Sequence, residues 1–528
     1  MFVSRRSLLK FAAAAAVPGA WRAPLAQTPA HAGDPFPLGV ASGPGLPAGV
    51  VLWTRYAPGL AATLAQLSHL PLKEFAARRD ALPVGPAVEL AWEVAEDETF
   101  SRIVRRGTTR ATAKLGHSVH VELQDLPAGP WFYYRFRVGS TTSPVGRTRV
   151  AGRLESLRFA LASCQHYETG HFGAYRPMLA DSPDLVLFVG DYIYEGGPRK
   201  ERWRPHPFPS CRTLADYRLR YSLYKLDPAL QAIHAACPWL VVWDDHEVSN
   251  DYARDRGQDL ELDGRARRLA AYQAYYENLP LPAAVLIEPW DHVRLWRSLA
   301  YGDLARFTVL DGRQYRDPQA CSEPGRGGST TVEDSVCPER HAAGRTLLGA
   351  EQMGWLRSEL ARSGAQWQFV VQQTVFSPLV RDTGLARYWT DGWDGYPAER
   401  ERVLAAMTAG AARNTVVLGG DLHSSWVCNV KSSFETPGAP VIAAEFCGTS
   451  ISSESGWSNA KSERVKARNP HTLFGESETR GYVLSELGRD RLLVRLRGVS
   501  DVRQSEPHAF DLARFEVSDG KPGTRRVG

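Results

Sequence analysis

Leu185-Val186-Leu187-Phe188-Val189-Gly190-Asp191-Tyr192-Ile193-Tyr194-Glu195 decides how this chain reads. Its first half is an apolar run, Leu185 to Gly190, short enough for a strand that is covered on both faces. The run stops on a carboxylate, and Tyr194 follows three positions later. Three other runs end in the same way. Leu157 to Ser163, interrupted only by Arg158, leads to Cys164. Leu240 to Trp243 leads to Asp244, Asp245, His246 and then Asn250. Val416 to Gly420 leads to Asp421, Leu422 and His423. Ligands gather just past strand ends in sheets of this kind. Four such ends bearing Cys, Asp, Tyr, His and Asn predict one polynuclear metal centre.

Working outward, strands and helices alternate from about residue 156. Phe307 to Leu310, Phe369 to Val371 and Val441 to Phe446 read as further strands. Thr213 reads as the N-cap of a helix through Tyr217, Tyr221 and Tyr224. Arg265 to Tyr276 and Ala350 to Arg362 have helical spacing. This predicts an α/β domain over 156–517 that holds the metal site. Residues 35–148 read as mostly β, with alternation in Val88 to Val94 and His117 to Leu123 and a run from Trp131 to Val138. Short strands at regular spacing predict a β-sandwich. Leu126-Pro127-Ala128-Gly129 with Tyr133-Tyr134-Arg135 resembles part of a fibronectin type III domain. The polar tail from Ser518 to Gly528 reads as frayed.

The 528 residues are 43% hydrophobic and 23% charged, which is ordinary for a globular chain long enough for two cores. A net charge of +5 gives no ground for a nucleic-acid-specific surface and none against anionic substrates. Residues 1–32 read as a targeting segment. Ser4-Arg5-Arg6-Ser7-Leu8-Leu9-Lys10 resembles a twin-arginine signal, and the apolar stretch Phe11 to Val17 is far too short to span a bilayer. Cleavage fits Ala30-His31-Ala32 or a point after Ala26. The expected partner is the twin-arginine export machinery, the expected location periplasmic or secreted, with no transmembrane anchor. Of seven cysteines, Cys164 is set aside as a ligand. Three disulfides among Cys211, Cys237, Cys321, Cys337, Cys428 and Cys447 are then open, with Cys321–Cys337 the favoured pair because they flank the loop Gly325 to Thr331.

Donor chemistry divides the centre. Tyr194 as phenolate and Cys164 as thiolate are anionic donors that suit a highly charged transition metal, ferric iron above all. Asp191 is close enough in sequence to reach the same metal as Tyr194, and His423 adds a neutral nitrogen. Asp245, Asn250 and Asp421 offer only oxygen and suit a hard divalent ion such as calcium. Asp191 has two oxygens and can bridge the two halves. Such a cluster can hold hydroxide near neutral pH and polarise a phosphoryl oxygen. His246 is the candidate catalytic donor to the phosphoryl or leaving oxygen.

Ala162-Ser163-Cys164-Gln165, Gly190 to Glu195, Trp243-Asp244-Asp245-His246-Glu247 and Gly420 to Trp426 resemble, in order, motifs of the PhoD family of alkaline phosphatases and phosphodiesterases. Asp391 to Pro397, Gly448 to Ser453 and the entry stretch Asp34 to Gly43 look like further family segments. The resemblance implies a β-sandwich followed by a calcineurin-like αββα core, with one ferric iron and two calcium ions. It implies iron on Cys164, Asp191, Tyr194 and His423, and calcium on Asp191, Asp245, Asn250 and Asp421. Asp251 stays open between a further calcium ligand and a solvent-facing residue. Cys164 stands where the wider superfamily has the Asp of an Asp-x-His pair.

The implied activity is hydrolysis of phosphate monoesters, diesters or both. Phospholipids and wall polymers present the same phosphoryl group, so a phospholipase D-like or wall-polymer phosphodiesterase stays open. So does an exported metal- or phosphate-binding protein without turnover. A serine esterase lacks its Gly-x-Ser-x-Gly elbow here, and a P-loop enzyme lacks its Gly-x-x-x-x-Gly-Lys-Ser/Thr loop. Tyr388, Trp389, Trp393 and Tyr396 stand evenly between core packing and a substrate-lining role.

Overall fold

Period-two alternation in the first region becomes strands, as expected. The computed structural model describes residues 33–45, 48–80, 85–260, 263–288, 290–362, 364–381 and 384–528. The targeting segment expected over 1–32 lies outside the described residues. Val40–Pro44, Val50–Arg55 and Ser118–Leu123 form one antiparallel sheet. Val88–Ala95 lies between Ile103–Ala111 and Phe132–Val138 in another. Val40, Leu52, Leu90, Val94, Tyr134 and Phe136 close a shared core; each larger apolar side chain buried this way contributes about 1.5–3 kcal/mol before entropy is counted. Two helices, Leu60–Ser68 and Leu72–Asp80, depart from the mostly β expectation. Their Ala-, Leu- and Arg-rich sequence favours helix. Leu64, Leu67 and Phe75 pack on Phe208 and Leu219 of the second region rather than on the sheets.

The second region is built on two seven-stranded sheets. In the first, Leu157–Ala162, Leu185–Phe188 and Trp239–Val241 run parallel. Gly481–Leu487, Arg491–Val499 and Ala509–Ser518 extend it in antiparallel fashion. The tail does not fray: Arg525–Arg526 pairs with Phe515 and Glu516. There Arg525 also finds the Glu516 carboxylate at 2.8 Å, so a polar segment gains a strand edge and a counter-ion. In the second sheet Ala305–Val309, Trp367–Val371, Asn414–Gly419 and Val441–Cys447 run parallel. The sheets meet face to face, with Phe159 edge-on to Phe307 and Phe369 at 5.2 Å each.

Helices stand where the sequence puts them. Leu214–Lys225 starts at Thr213, whose side chain and that of Asp216 complete a capping box. Gly264–Asn278 and Ala350–Ala361 also match. Among the described residues no helix is long and apolar enough to cross a membrane. Cys321 and Cys337 are bridged. The further pairings left open do not form, and Cys211, Cys237, Cys428 and Cys447 are buried thiols. Cys428 and Cys447 lie on adjacent strands but out of register, opposite Glu445 and Trp426. Their sulfurs turn instead to Thr472 Oγ1 and the Gly420 carbonyl.

Candidate metal centre

The strand ends converge because their backbones are stitched together. The Cys164 amide donates to the Gly190 carbonyl at 3.0 Å, and the Ile451 amide to that of Ser163 at 2.9 Å. Gly190, at φ 110, is needed for this approach: a Cβ there would lie 2.3 Å from Asp244 Cβ. A Cβ on Gly420 would lie 2.5 Å from Ser163 Oγ. Glu247 binds two of the loops to one another. Its carboxylate accepts the amides of Asp191 at 3.1 Å, Tyr192 at 2.5 Å and Asp244 at 2.8 Å.

Side chains follow from these turns. Cys164, Asp191, Asp421 and His423 all leave their strands with left-handed backbone, φ 58, 56, 65 and 52. That conformation costs a residue with a Cβ about 1–2 kcal/mol, and it aims four donors into one space. The Cys164, Asp191 and His423 donor atoms lie within 4.8 Å of one another, as do those of Asp191, Asp245 and His246. Asp191 belongs to both groups. The Tyr194 hydroxyl lies 2.8 Å from Asp191 Oδ2, 3.0 Å from His423 Nε2 and 2.7 Å from Ser453 Oγ. His423 Nδ1 donates to the Glu454 carbonyl at 2.9 Å, so Nε2 keeps its lone pair toward the centre. Asn250 spends its amide nitrogen on Gln258 at 3.0 Å, which leaves its oxygen available as a donor. Asp251 is neither exposed nor idle: it is buried, and Ser329 N–H and Oγ hold its carboxylate at 2.8 Å each.

Charge at the centre is unbalanced. Arg313 is the main internal cation. It pairs with Asp244, with Asp391 at 2.8 Å, and lies 3.5 Å from Asp245. Asp191 Oδ1, Asp244 Oδ2 and Asp421 Oδ2 are buried without any hydrogen bond. Burial, and then the neighbouring carboxylates, push the carboxyls of Asp191 and Asp421 well above the usual range. Burial and Asp191 likewise raise the Cys164 thiol and the Tyr194 phenol. Burial and Arg480 hold His423 down at about 4, a neutral ligand at working pH. Orphaned oxygens amid thiol, phenol and imidazole fit cations with mixed S, N and O donors.

His246 is held differently. Its Nδ1 meets Glu195 Oε2 at 2.7 Å. Burial opposes its charge, but Asp245, Glu195 and Asp191 outweigh burial and raise its pKa well above the ordinary value. Glu195, despite burial, is kept at about 2 by His246. It also accepts the Asn250 amide at 2.8 Å, so one carboxylate orients both residues.

A cleft of about 420 Å³ opens over Tyr194, His246, Asn250, His423 and Ser453. Trp393 and Tyr396 are core residues instead. Tyr388 and Trp389 pair with the strand Thr331–Glu333, so the aromatic segment does not line this cleft. Sequence reasoning left Glu195, Glu247, Ser453 and Arg313 without roles. The first three stand inside motifs already singled out; Arg313 carries no local signal.

Comparison with known proteins identifies the family. The family described as PhoD-like phosphatase matches residues 159–496, and the PhoD-like phosphatase N-terminal domain matches 21–152. Alkaline phosphatase D of Bacillus subtilis (strain 168) is 42% identical over 508 residues, covering 93% of this chain and 82% of that protein. A solved structure described as that of PhoD superposes with a TM-score of 0.84 at 39% identity, covering 94% of this chain and 92% of the other. This chain belongs to the PhoD-like phosphatase family and is a hydrolase of phosphoric ester bonds.

Proposed function

We propose that the cleft hydrolyses phosphate monoesters, diesters or both with metal assistance. In this reading Cys164, Asp191, Tyr194 and His423 hold ferric iron, and Asp191, Asp245, Asn250 and Asp421 hold calcium. When bound, these ions supply Lewis acidity toward a phosphoryl oxygen and toward water. The chain's residues do the rest. His246, oriented through Nδ1 by Glu195, carries a proton at Nε2 for the phosphoryl or leaving oxygen. Glu195 keeps the ring in that orientation and fixes the Asn250 backbone. Arg313 balances Asp244 and Asp391, leaving Asp191, Asp245 and Asp421 for cations.

One observation carries this reading. The Tyr194 oxygen lies against Asp191 and His423 at 2.8 and 3.0 Å, and these two residues and Cys164 present their donors within one metal-sized space. We read 35–148 as a fibronectin III-like sandwich and 156–517 as a calcineurin-like core, which the facing sheets support. Residues 1–32 are read as a twin-arginine leader directing the protein to the periplasm or outside the cell.

Metal analysis combined with a monoester and diester panel tests the proposal. A calcium-selective chelator is expected to abolish hydrolysis, and added calcium to restore it. Full activity after calcium removal contradicts the calcium half.

A further inference from the structure

The turn that carries Asp421 and His423 packs on a second apolar cluster. Leu422, between them, packs with Leu379, Val465 and Trp457 in one apolar cluster. Against the same Trp457 and Val465 lies a second cavity of about 390 Å³, which Arg381, Arg387, Lys461 and Arg464 complete. Among the described residues no carboxylate lines it. Arg387 is answered by Glu333 at 3.1 Å.

Arg381 is not answered in this way. Its guanidinium lies 4.5 Å from the Trp389 ring centre and 5.0 Å from that of Trp457. Its buried Nε has no hydrogen-bond partner, and it forms no ion pair among the described residues. The Lys461 ammonium lies 4.1 Å from the same Trp457 ring. Arg464 projects from the exposed side of the helix Asn459–Arg468. An anion in this partly enclosed space would be met by the Arg381 and Arg464 guanidinium groups. Burial lowers the Arg381 pKa to about 10, against the pull of Asp394, Asp421 and Asp391; Asp421 is one of the candidate metal ligands, so the two sites are within electrostatic reach of one another.

We propose that this cavity is a subsite for a second phosphate or similar oxyanion on the substrate, so that the enzyme favours phosphoesters carrying more than one anionic group along a chain. The proposal rests on the hydrolytic reading of the neighbouring cleft. Arg381 and Arg464 would donate charge-assisted hydrogen bonds, and Trp457 would form the apolar side.

The test uses the full, metal-loaded chain and p-nitrophenyl phosphodiesters whose second alcohol is a flexible chain of graded length, ending in a hydroxyl or in a phosphate. At one or more lengths the phosphate-ended probe is expected to have the lower KM, by on the order of tenfold. That ratio should fall toward one in Arg381→Gln, in the exposed pair Lys461→Gln with Arg464→Gln, and at high salt. Calorimetry with the matching non-hydrolysable phosphonates gives the same ratio without turnover. Absence of hydrolysis therefore counts against the function reading, while the binding ratio still decides the subsite. A ratio of one at every length in the unmodified protein overturns the proposal, as does a ratio that survives both sets of substitutions. Inhibition by free inorganic phosphate that these substitutions relieve, with no preference between the tethered probes, also overturns it in favour of a site for free anion.

Discussion

The two regions of this molecule turn their chains in opposite ways. Between the N-terminal strands the left-handed positions are mostly glycines: Gly49, Gly116, Gly129 and Gly139, at φ 107, 57, 103 and 55. Phe100 and His117 are the exceptions among the described residues there. At the candidate metal centre the same backbone is taken by Cys164, Asp191, Asp421 and His423. Glycine would relieve the backbone in every one of those places, yet it would supply no donor. The contrast shows strain kept where a side chain is required and avoided where only a turn is.

The comparison breaks first at Asp191, the residue common to both donor groups. Asp191→Ala should remove both kinds of metal and lower kcat by more than about 100-fold, beyond the 10- to 100-fold typical of outer partners. Loss of one metal with the other retained, read by elemental analysis, would divide the centre and remove the bridge.

His246 and Glu195 sharpen the comparison, since neither carries left-handed backbone. His246→Ala should lower kcat by about 100-fold as a lost proton donor. Glu195→Gln should cost about tenfold as a lost orienting partner, with metal content kept in both variants. Equal losses in the two, or loss of metal from His246→Ala, would move His246 from proton donor to ligand.

The smallest effects are on stability, and they have opposite signs. Stripped of metal, Asp421→Gly should unfold at higher temperature than the unmodified chain. It relieves the left-handed backbone and a crowded carboxylate, a gain of about 1 kcal/mol. Gly129→Ala should lose about 1 kcal/mol with hydrolysis unchanged: the new Cβ meets nothing within 4 Å, so only φ 103 penalises it. A metal-free Asp421→Gly protein that melts lower than its parent would show that the turn is not strained.

Strand ends were legible because an apolar run marks where the chain is buried, and the first polar residue marks where it emerges. Leu157–Ala162, Leu185–Phe188 and Asn414–Gly419 follow that rule, and their ends meet. What holds the ends together was not legible. Glu247 caps amides of the Asp191 turn more than fifty residues away, and Arg313 reaches Asp391 across 78 positions. Such partners are chosen by the packing of two sheets, which leaves no local periodicity. The helices Leu60–Ser68 and Leu72–Asp80 were missed because the turn-rich sequence around them suggested sheet throughout. Cys428 and Cys447 were open to pairing in sequence, and only their register on neighbouring strands excludes it.

Visible absorption of protein purified from its native host, with iron measured on the same preparation, tests the central claim most directly. If Tyr194 ligates ferric iron, the protein should be coloured by phenolate-to-metal charge transfer. Tyr194→Phe, which keeps the ring and removes only the oxygen beside Asp191 and His423, should lose or strongly weaken that band. A colourless, iron-free preparation of the unmodified chain with full hydrolytic activity would contradict the account.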